Sequence, residues 1–578
     1  MNLTRRDFLQ MAGIAGAAGF FGPGAIASAW GADGDPYEIS DYGNVTLLHM
    51  TDSHAQLLPV WWREPDTNIG LGSARDQPPH LCGKWMLEYY GIPMKTKDAH
   101  AFSCLDYTDL AHKYGKVGGY AHIHSLVNRF RQARPNKTLL LDGGDTWQGS
   151  ATSLWTKGED MVGAQNLLGV DDFVGHWEFT YGQERVQDLI KNKLKANFLA
   201  QNVFSSTWNE LVFKPYVIHE ISGRKIAVIG QAFPFTPIAN PRYLTPDWVF
   251  SIHPGHMQKM VDECRQTHKA DAVVVLSHNG ADVDMKMASQ VQGIDIILGG
   301  HTHDIMGPKP FRVGKTIIIN TSTNGKVLAR FDLDVGKGKI NGFKFYYLPV
   351  FSNLIKADPK MAAYVDSVRT PFKTKLAEPI AVTESLLYRR DNFNGTFDQL
   401  LCNALMDEMD CEAAFSPGFR WGYCKLPGET ITMEDVMGQT AITYPQVTVN
   451  EYTGAEIKNI MEQVADNIFN KDPYYQQGGD MMRVGNIQYT FNPDALIYHR
   501  ISNMHIGGKP VSSSSKKKYK MAGWAPVVAP VEGKAVWDVF AHWLKDKKTV
   551  RVDKLELPRL TRNMENNHGI AEPKTYGL

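Results

Sequence analysis

Between residues 45 and about 350 the sequence repeats one local pattern, a short run of β-branched and aliphatic residues that ends in a turn. The runs are Val45-Thr-Leu-Leu-His-Met, Thr138-Leu-Leu-Leu-Asp, Lys225-Ile-Ala-Val-Ile-Gly, Ala272-Val-Val-Val-Leu-Ser, Ile294-Asp-Ile-Ile-Leu-Gly and Thr316-Ile-Ile-Ile-Asn. They are continuously apolar rather than alternating, so both faces of each strand must be covered. Helical patterns fall between them, which predicts an α/β sandwich with helices outside. Five clusters of acids and imidazoles lie at the C-terminal ends of the predicted strands: Asp52-Ser-His54, Gly143-Gly-Asp145, Gly175-His176-Trp177-Glu178, Ser277-His278-Asn-Gly and Gly299-Gly-His301-Thr-His303. That end of the strands is where α/β sheets place their sites.

A single strand-end histidine is more often a hydrogen-bonded structural residue than a ligand. Five clusters in one α/β domain reverse that reading and predict a dinuclear metal site. An Asp-x-His or His-x-His pair in a tight turn directs both side chains at one ion. Carboxylate and imidazole together suit Mn, Fe or Zn, whereas all-oxygen sites suit Mg or Ca. Asp145 is the natural bridge, because a carboxylate can bind two cations about 3.5–4 Å apart.

Length and composition narrow the alternatives. A chain of 578 residues is too long for one ordinary core and predicts two or three domains. Its 61 Lys and Arg balance 61 Asp and Glu, which excludes a generally basic nucleic-acid binder. Six Cys without a CxxC pair exclude cysteine-based structural zinc. Helical spacing over about 358–380 (Met361, Tyr364, Val365, Val368) predicts a connecting helix, and beyond it mixed helices and shorter strands predict a second domain. The expected segments are a signal peptide over 1–29, a metal-bearing domain over 40–355, a linker helix over 356–380 and a second domain over 381–578. Ser512-Ser-Ser-Ser-Lys-Lys-Lys518 reads as a solvated loop. At the start, Thr4-Arg-Arg-Asp-Phe-Leu9 is a twin-arginine pattern, followed by a Gly/Ala-rich run and a small-x-small site at Ala27-Ser28-Ala29. It predicts twin-arginine export to the periplasm. No other stretch approaches the roughly 18 apolar residues of a span, so no stable membrane insertion is expected after cleavage.

The order Asp-x-His, Gly-Asp, Gly-x-x-Glu, x-His-x-Gly and Gly-His-x-His resembles the metallophosphoesterase superfamily, and specifically its 5′-nucleotidase branch. Gly149-Ser150, Tyr181-Gly182 and Tyr452-Thr-Gly-Ala-Glu456 also fit that branch. The resemblance covers nearly the whole mature chain. It implies an α/β fold: a metallophosphoesterase-like β-sandwich flanked by helices, then a smaller α+β substrate-binding domain. It further implies that one ion takes Asp52, His54, Asp145 and His303, while the other shares Asp145 and takes His176, His278 and His301. Ser416-Pro-Gly-Phe-Arg420-Trp stands where the branch has an Asn-x-Gly-x-Arg anion motif, so Arg420 is the expected oxyanion contact. Gly478-Gly-Asp-Met-Met-Arg483 is a second candidate loop, in which Arg483 is either a substrate contact or a surface charge.

One segment departs from the branch. Its usual reading is Gly-Asn-His-Glu-Phe-Asp, where the His–Asp pair assists phosphoryl transfer; here it is Gly175-His176-Trp177-Glu178-Phe179-Thr180. His176 can still ligate, but Trp177 and Thr180 cannot act as that pair. The other ligands are intact, which argues for a changed reaction rather than a lost one. This variant is similar to the SoxB thiosulfohydrolases of the periplasmic sulfur-oxidation (Sox) system. So are Leu57-Leu-Pro-Val-Trp-Trp-Arg-Glu-Pro and the stretch from Cys82-Gly-Lys-Trp to Phe102-Ser-Cys-Leu-Asp-Tyr. That similarity implies two Mn²⁺ ions and removal of the terminal sulfonate, as sulfate, from a cysteine S-thiosulfonate on the SoxYZ carrier protein. Asp145, Trp177 and Arg420 are then the expected catalytic residues, and Arg420, Arg483, Trp177 and Tyr181 the expected substrate contacts, with Trp421 beside them. The alternatives are a periplasmic 5′-nucleotidase or cyclic phosphodiesterase, and a non-catalytic metal-dependent partner.

Overall fold

A computed structural model describes residues 35–570 apart from 66–67, 392, 513 and 565, so the expected signal peptide lies outside the described residues. The first domain is built on two six-stranded sheets. One runs in the order Lys339–Pro349, Val327–Gly336, Val45–Met50, Thr138–Asp142, Asp172–Phe173 and Asn197–Phe198, the last four being parallel. The other runs Phe311–Val313, Thr316–Asn320, Ile296–Gly299, Ala272–Ser277, Arg224–Gln231 and Tyr216–Ile221, with four parallel strands between antiparallel edges.

Successive side chains on a strand point to opposite faces. In Val45–Met50, Val45 and Leu47 therefore pack between the sheets with Val274, Leu276, Ile296 and Leu298. Leu48 and Met50 pack outward on Ile123, Val127 and Met161 of the helices Tyr120–Ala133 and Glu159–Leu168. The second sheet repeats this, with Val273 and Val275 against Met257, Val261 and Met287 of its own outer helices. Burial on both faces is the reason for the unbroken apolar runs, each such side chain contributing about 1.5–3 kcal/mol.

The helix Pro359–Arg369, a 3₁₀ turn at 370–372 and the short helix Lys373–Leu376 lead to the second domain. That domain holds one three-stranded and two four-stranded sheets, with the helices Thr396–Met409, Met433–Thr440, Gly454–Phe469 and Val536–Lys547. The Tyr452–Glu456 segment has a structural role here. Thr453 Oγ1 accepts from the Glu456 N–H at 3.3 Å and the Glu456 carboxylate accepts from the Thr453 N–H at 2.7 Å, a capping box that starts Gly454–Phe469. The Ser512–Lys518 loop is exposed where it is described. The chain then returns to the first domain. Cys82 N–H donates to His568 O at 2.8 Å, Asn68 N–H to Gly569 O at 3.0 Å, and the Trp85 and His568 rings stack at 3.9 Å. Among the described residues no helix is long and apolar enough to cross a membrane.

Candidate metal centre

The five strand-end loops meet at one edge of the sandwich, and the seven predicted ligands fall into two buried groups. Asp52, His54, Asp145 and His303 form one, and Asp145, His176, His278 and His301 the other, with one donor atom from each residue within 4.8 Å of its group's others. Asp145 belongs to both. Its Oδ2 lies 3.1 Å from His176 Nδ1, 3.1 Å from His278 Nε2 and 3.5 Å from His54 Nε2. On the other side His303 Nε2 stands 3.0 Å from Asp52 Oδ1 and 3.1 Å from His54 Nε2.

Two tests bear on whether cations fit this space. Among the described residues neither ring nitrogen of His301 has a hydrogen bond although the side chain is buried, and an ion on that ring would offset part of this cost. In addition, His54 and His278 donate their Nδ1–H to the carbonyls of Gln148 and Gly143, at 3.1 and 2.5 Å, which leaves each Nε2 as a free donor atom. The donor set, two carboxylates and five imidazoles, fits two divalent transition-metal ions. Burial alone would raise the Asp145 carboxyl, but the imidazoles of His176, His278 and His54 hold it well below the usual range. Burial works to lower His278, yet the neighbouring carboxylates of Asp145 and Asp52 push it up to about 10.

The loops are held in unusual conformations. Asp52, His54, Asp145, His301 and His303 all have left-handed backbones, with φ of 52°, 45°, 56°, 77° and 60°. Such conformations cost non-glycine residues about 1–2 kcal/mol each, and the surrounding structure must impose them. Glu178 supplies much of that constraint. Its carboxylate accepts the backbone N–H groups of Asp145, Thr146, Trp147 and His176 at 3.3, 2.6, 3.0 and 2.7 Å. Burial, then the charge of Asp145, pushes its carboxyl up to about 7. Asp52 is held likewise: Thr51 Oγ1 donates to its carboxylate and Thr323 Oγ1 to its carbonyl, both at 2.6 Å.

The residues expected on the substrate divide. The Trp177 N–H donates to Asp145 Oδ1 at 2.8 Å, and its ring makes edge-on contacts with Trp421 and Phe419 at 5.1 and 5.4 Å. Trp421 lies 6.0 Å from the His54 ring, and its Nε1–H is buried without a partner among the described residues. Arg420 reaches the site from the second domain, but its Nη1 donates to His301 O at 2.8 Å, its Nη2 to Gly479 O at 2.7 Å and its Nε to Asp480 at 3.2 Å. Arg483 is not a surface charge. It is fully buried, paired with Asp480 at 2.9 Å beside Asp398, because strand Arg483–Gly485 runs inside the second domain. Tyr181 is engaged in the first domain: its hydroxyl donates to Trp147 O at 2.9 Å and its ring packs on the first-domain core. Thr180 Oγ1 lies 2.6 Å from Thr443 Oγ1 and so joins the two domains.

Three contributors escaped the sequence reading. Phe233 packs on His176 at 3.9 Å and His301 at 4.3 Å, and its place just beyond the strand Arg224–Gln231 was the available signal. Phe419 stacks on Trp421 at 4.0 Å from inside the expected anion motif. Glu64, in the Trp-Trp-Arg-Glu-Pro segment, accepts the Ile305 N–H at 3.0 Å just after the His-x-His turn and pairs with Lys326.

Comparisons with known proteins agree with this architecture. The family model of the 5′-nucleotidase C-terminal domain matches residues 379–542. The structure of the sulfate thiohydrolase SoxB of Thermus thermophilus, in complex with glycerol, is similar with a TM-score of 0.87 and 36% identity, over 91% of this chain and 98% of that one. A 5′-nucleotidase precursor, also from Thermus thermophilus, shares the fold, with a TM-score of 0.70 and 19% identity over 90% of this chain and 99% of that one. In sequence, the 5′-nucleotidase of Rattus norvegicus is 32% identical over 222 residues, 36% of this chain. The trifunctional nucleotide phosphoesterase YfkN of Bacillus subtilis is 24% identical over 475 residues, 73% of this chain. The chain spans 38% of the length of the first of these curated relatives and 32% of the second.

Proposed function

Since the chain belongs to the SoxB family, within the 5′-nucleotidase branch of the metallophosphoesterases, we propose that it removes the terminal sulfonate from a cysteine S-thiosulfonate on the SoxYZ carrier protein. In that reaction a water oxygen bonds to the sulfonate sulfur and the S–S bond breaks. The electron pair leaves with the carrier persulfide, sulfate is released and two protons pass to solvent. One observation carries the reading. Beside a complete set of buried ligands, Trp177 and Thr180 occupy the positions where the branch holds its proton-transferring His and Asp.

The chemistry of the leaving groups explains why this matters. A nucleotide expels an alkoxide, which needs acid assistance; a thiosulfonate expels a persulfide, which leaves as a stable anion. Indole is a donor only and takes up no proton in this range, and Thr180 is engaged with Thr443. Two divalent ions, which we assign as Mn²⁺, supply when bound the Lewis acidity that activates water and draws charge from the sulfonate oxygens. The chain's own part is positional. The Trp177 N–H and Glu178 set the orientation of Asp145 and its loop. The rings of Trp177, Phe419 and Trp421 form an aromatic wall that excludes water. The guanidinium of Arg420 places positive charge beside His301. The twin-arginine pattern supports action in the periplasm after loading and folding in the cytoplasm.

The test compares sulfate release from the sulfonated carrier with phosphate release from AMP. General acid assistance contributes about 10²–10⁴-fold, so AMP turnover by the wild type should lie at least about 100-fold below carrier turnover. Trp177→His combined with Thr180→Asp should raise phosphate release and impair sulfate release. Efficient AMP hydrolysis by the wild type, with no sulfate from the carrier, would sink the assignment in favour of a nucleotidase.

A further inference from the structure

His301 is held differently from His54 and His278. Those two are oriented by backbone carbonyls, whereas both ring nitrogens of His301 are buried without a hydrogen bond among the described residues. Contact holds its ring instead. Phe233 lies against it with centroids 4.3 Å apart and planes inclined by 32°. At its edge stands Gly478 of the second domain. A Cβ built on Gly478 would fall 2.0 Å from His301 Nε2, and 2.9 and 3.1 Å from Cδ2 and Cε1. The last two distances are nearly equal, so this direction runs outward from Nε2, along the line of its proton or lone pair. An ion on an imidazole sits about 2.0–2.1 Å from the nitrogen, and one placed on Nε2 would overlap the Gly478 backbone. Nδ1 is the nitrogen left to ligate.

Gly478 is itself pinned. Its φ of +78° suits glycine, and its N–H donates to Asn467 O at 3.3 Å. The neighbouring Gly479 carbonyl accepts from Arg420 Nη2 at 2.7 Å, while Arg420 Nη1 donates to the carbonyl of His301 itself at 2.8 Å. One guanidinium therefore ties the backbone of a first-domain ligand to the second-domain loop that seals its ring.

We propose that the Gly478–Asp480 loop, clamped by Arg420, is a working part of the metal centre. It selects Nδ1 of His301 as the ligand atom and holds the ring for the ion shared with Asp145, His176 and His278. Arg420 is then a positioning residue of the metal centre, whatever substrate the protein hydrolyses.

The test is titration of the metal-stripped full chain with Mn²⁺, read by calorimetry and by elemental analysis after dialysis. Gly478→Ala places a methyl group on Nε2. Arg420→Lys keeps the charge but loses the fork that makes three fixed contacts. Each should weaken one of two Mn²⁺ sites about 10- to 100-fold, the usual effect of losing a residue that supports a ligand, and leave the other site unchanged. Gly508→Ala adds the same methyl group at a similar φ of +73° with nothing within 4 Å, and should keep both sites at wild-type affinity. Wild-type binding of two ions by both Gly478→Ala and Arg420→Lys would overturn the proposal, as would an equal loss in Gly508→Ala. If Gly478→Ala does not fold, Arg420→Lys decides alone. Because the readout is metal affinity, its failure is distinguishable from failure of the sulfate-release test.

Discussion

At the scale of single residues the metal centre combines an electrostatic bridge with a strained backbone. Asp145 is the one side chain common to both ligand groups, whereas Asp52 belongs to one. Asp145→Ala should therefore empty both metal positions and Asp52→Ala mainly one, as elemental analysis of the purified variants will show. A variant without Asp145 that retains two ions would remove the bridge. The φ of 56° at Asp145 adds a second expectation. A methyl side chain keeps the left-handed strain and a glycine relieves it, so metal-stripped Asp145→Gly should be about 1 kcal/mol more stable to urea than Asp145→Ala.

At the scale of elements, strand ends deliver the ligands and Glu178 holds two of the loops in register. Each of its two oxygens accepts two backbone N–H groups, three of the four coming from the Asp145 loop and one from His176. Glu178→Gln keeps the shape but turns one oxygen into a donor facing two N–H groups. Breaking two charge-assisted bonds and burying unpaired donors should cost about 3–5 kcal/mol. Urea denaturation in chelator measures this without a contribution from bound metal, and a loss below about 1 kcal/mol, the scale of one ordinary hydrogen bond, would show that other contacts hold the Asp145 loop.

Across the whole molecule, the two domains are tied at several separated places. Gln148 Nε2 donates to Ala441 O at 2.7 Å, Asn324 Nδ2 to Gly422 O at 2.8 Å, and Tyr444 Oη to Ala239 O at 2.7 Å. The C-terminal segment adds a strap, in which Asn567 Nδ2 donates to Gly70 O at 2.8 Å and His568 stacks on Trp85. Truncation after Leu560 removes these contacts but keeps the strand Arg559–Leu560. With at least five hydrogen bonds to the 68–82 segment and one ring pair lost, stability should fall by about 3–7 kcal/mol. The released segment around 68–82 should become the first site of limited proteolysis. An unchanged denaturation midpoint with an unchanged cleavage pattern would show that the strap is idle.

The sequence by itself determined the two-sided strands, the strand-end positions of Asp52, His54, Asp145, His176, His278, His301 and His303, and a mixed second domain after a connecting helix. Each of these is written in neighbouring residues, through apolar periodicity, β-branching and the turns that follow. The tertiary structure alone decided what meets those loops from a distance. Arg483 reads like any charge after a Gly-Gly turn, yet it pairs with Asp480 inside the second domain. Tyr181 stands one residue from Thr180, yet its ring turns into the first-domain core while Thr180 joins the domains. Phe233 and Gly478 act on His301 from 68 residues before it and 177 after it. Periodicity reports which face of an element is buried, but the partner on that face is set by docking two separately folded cores, and that leaves no local pattern to read.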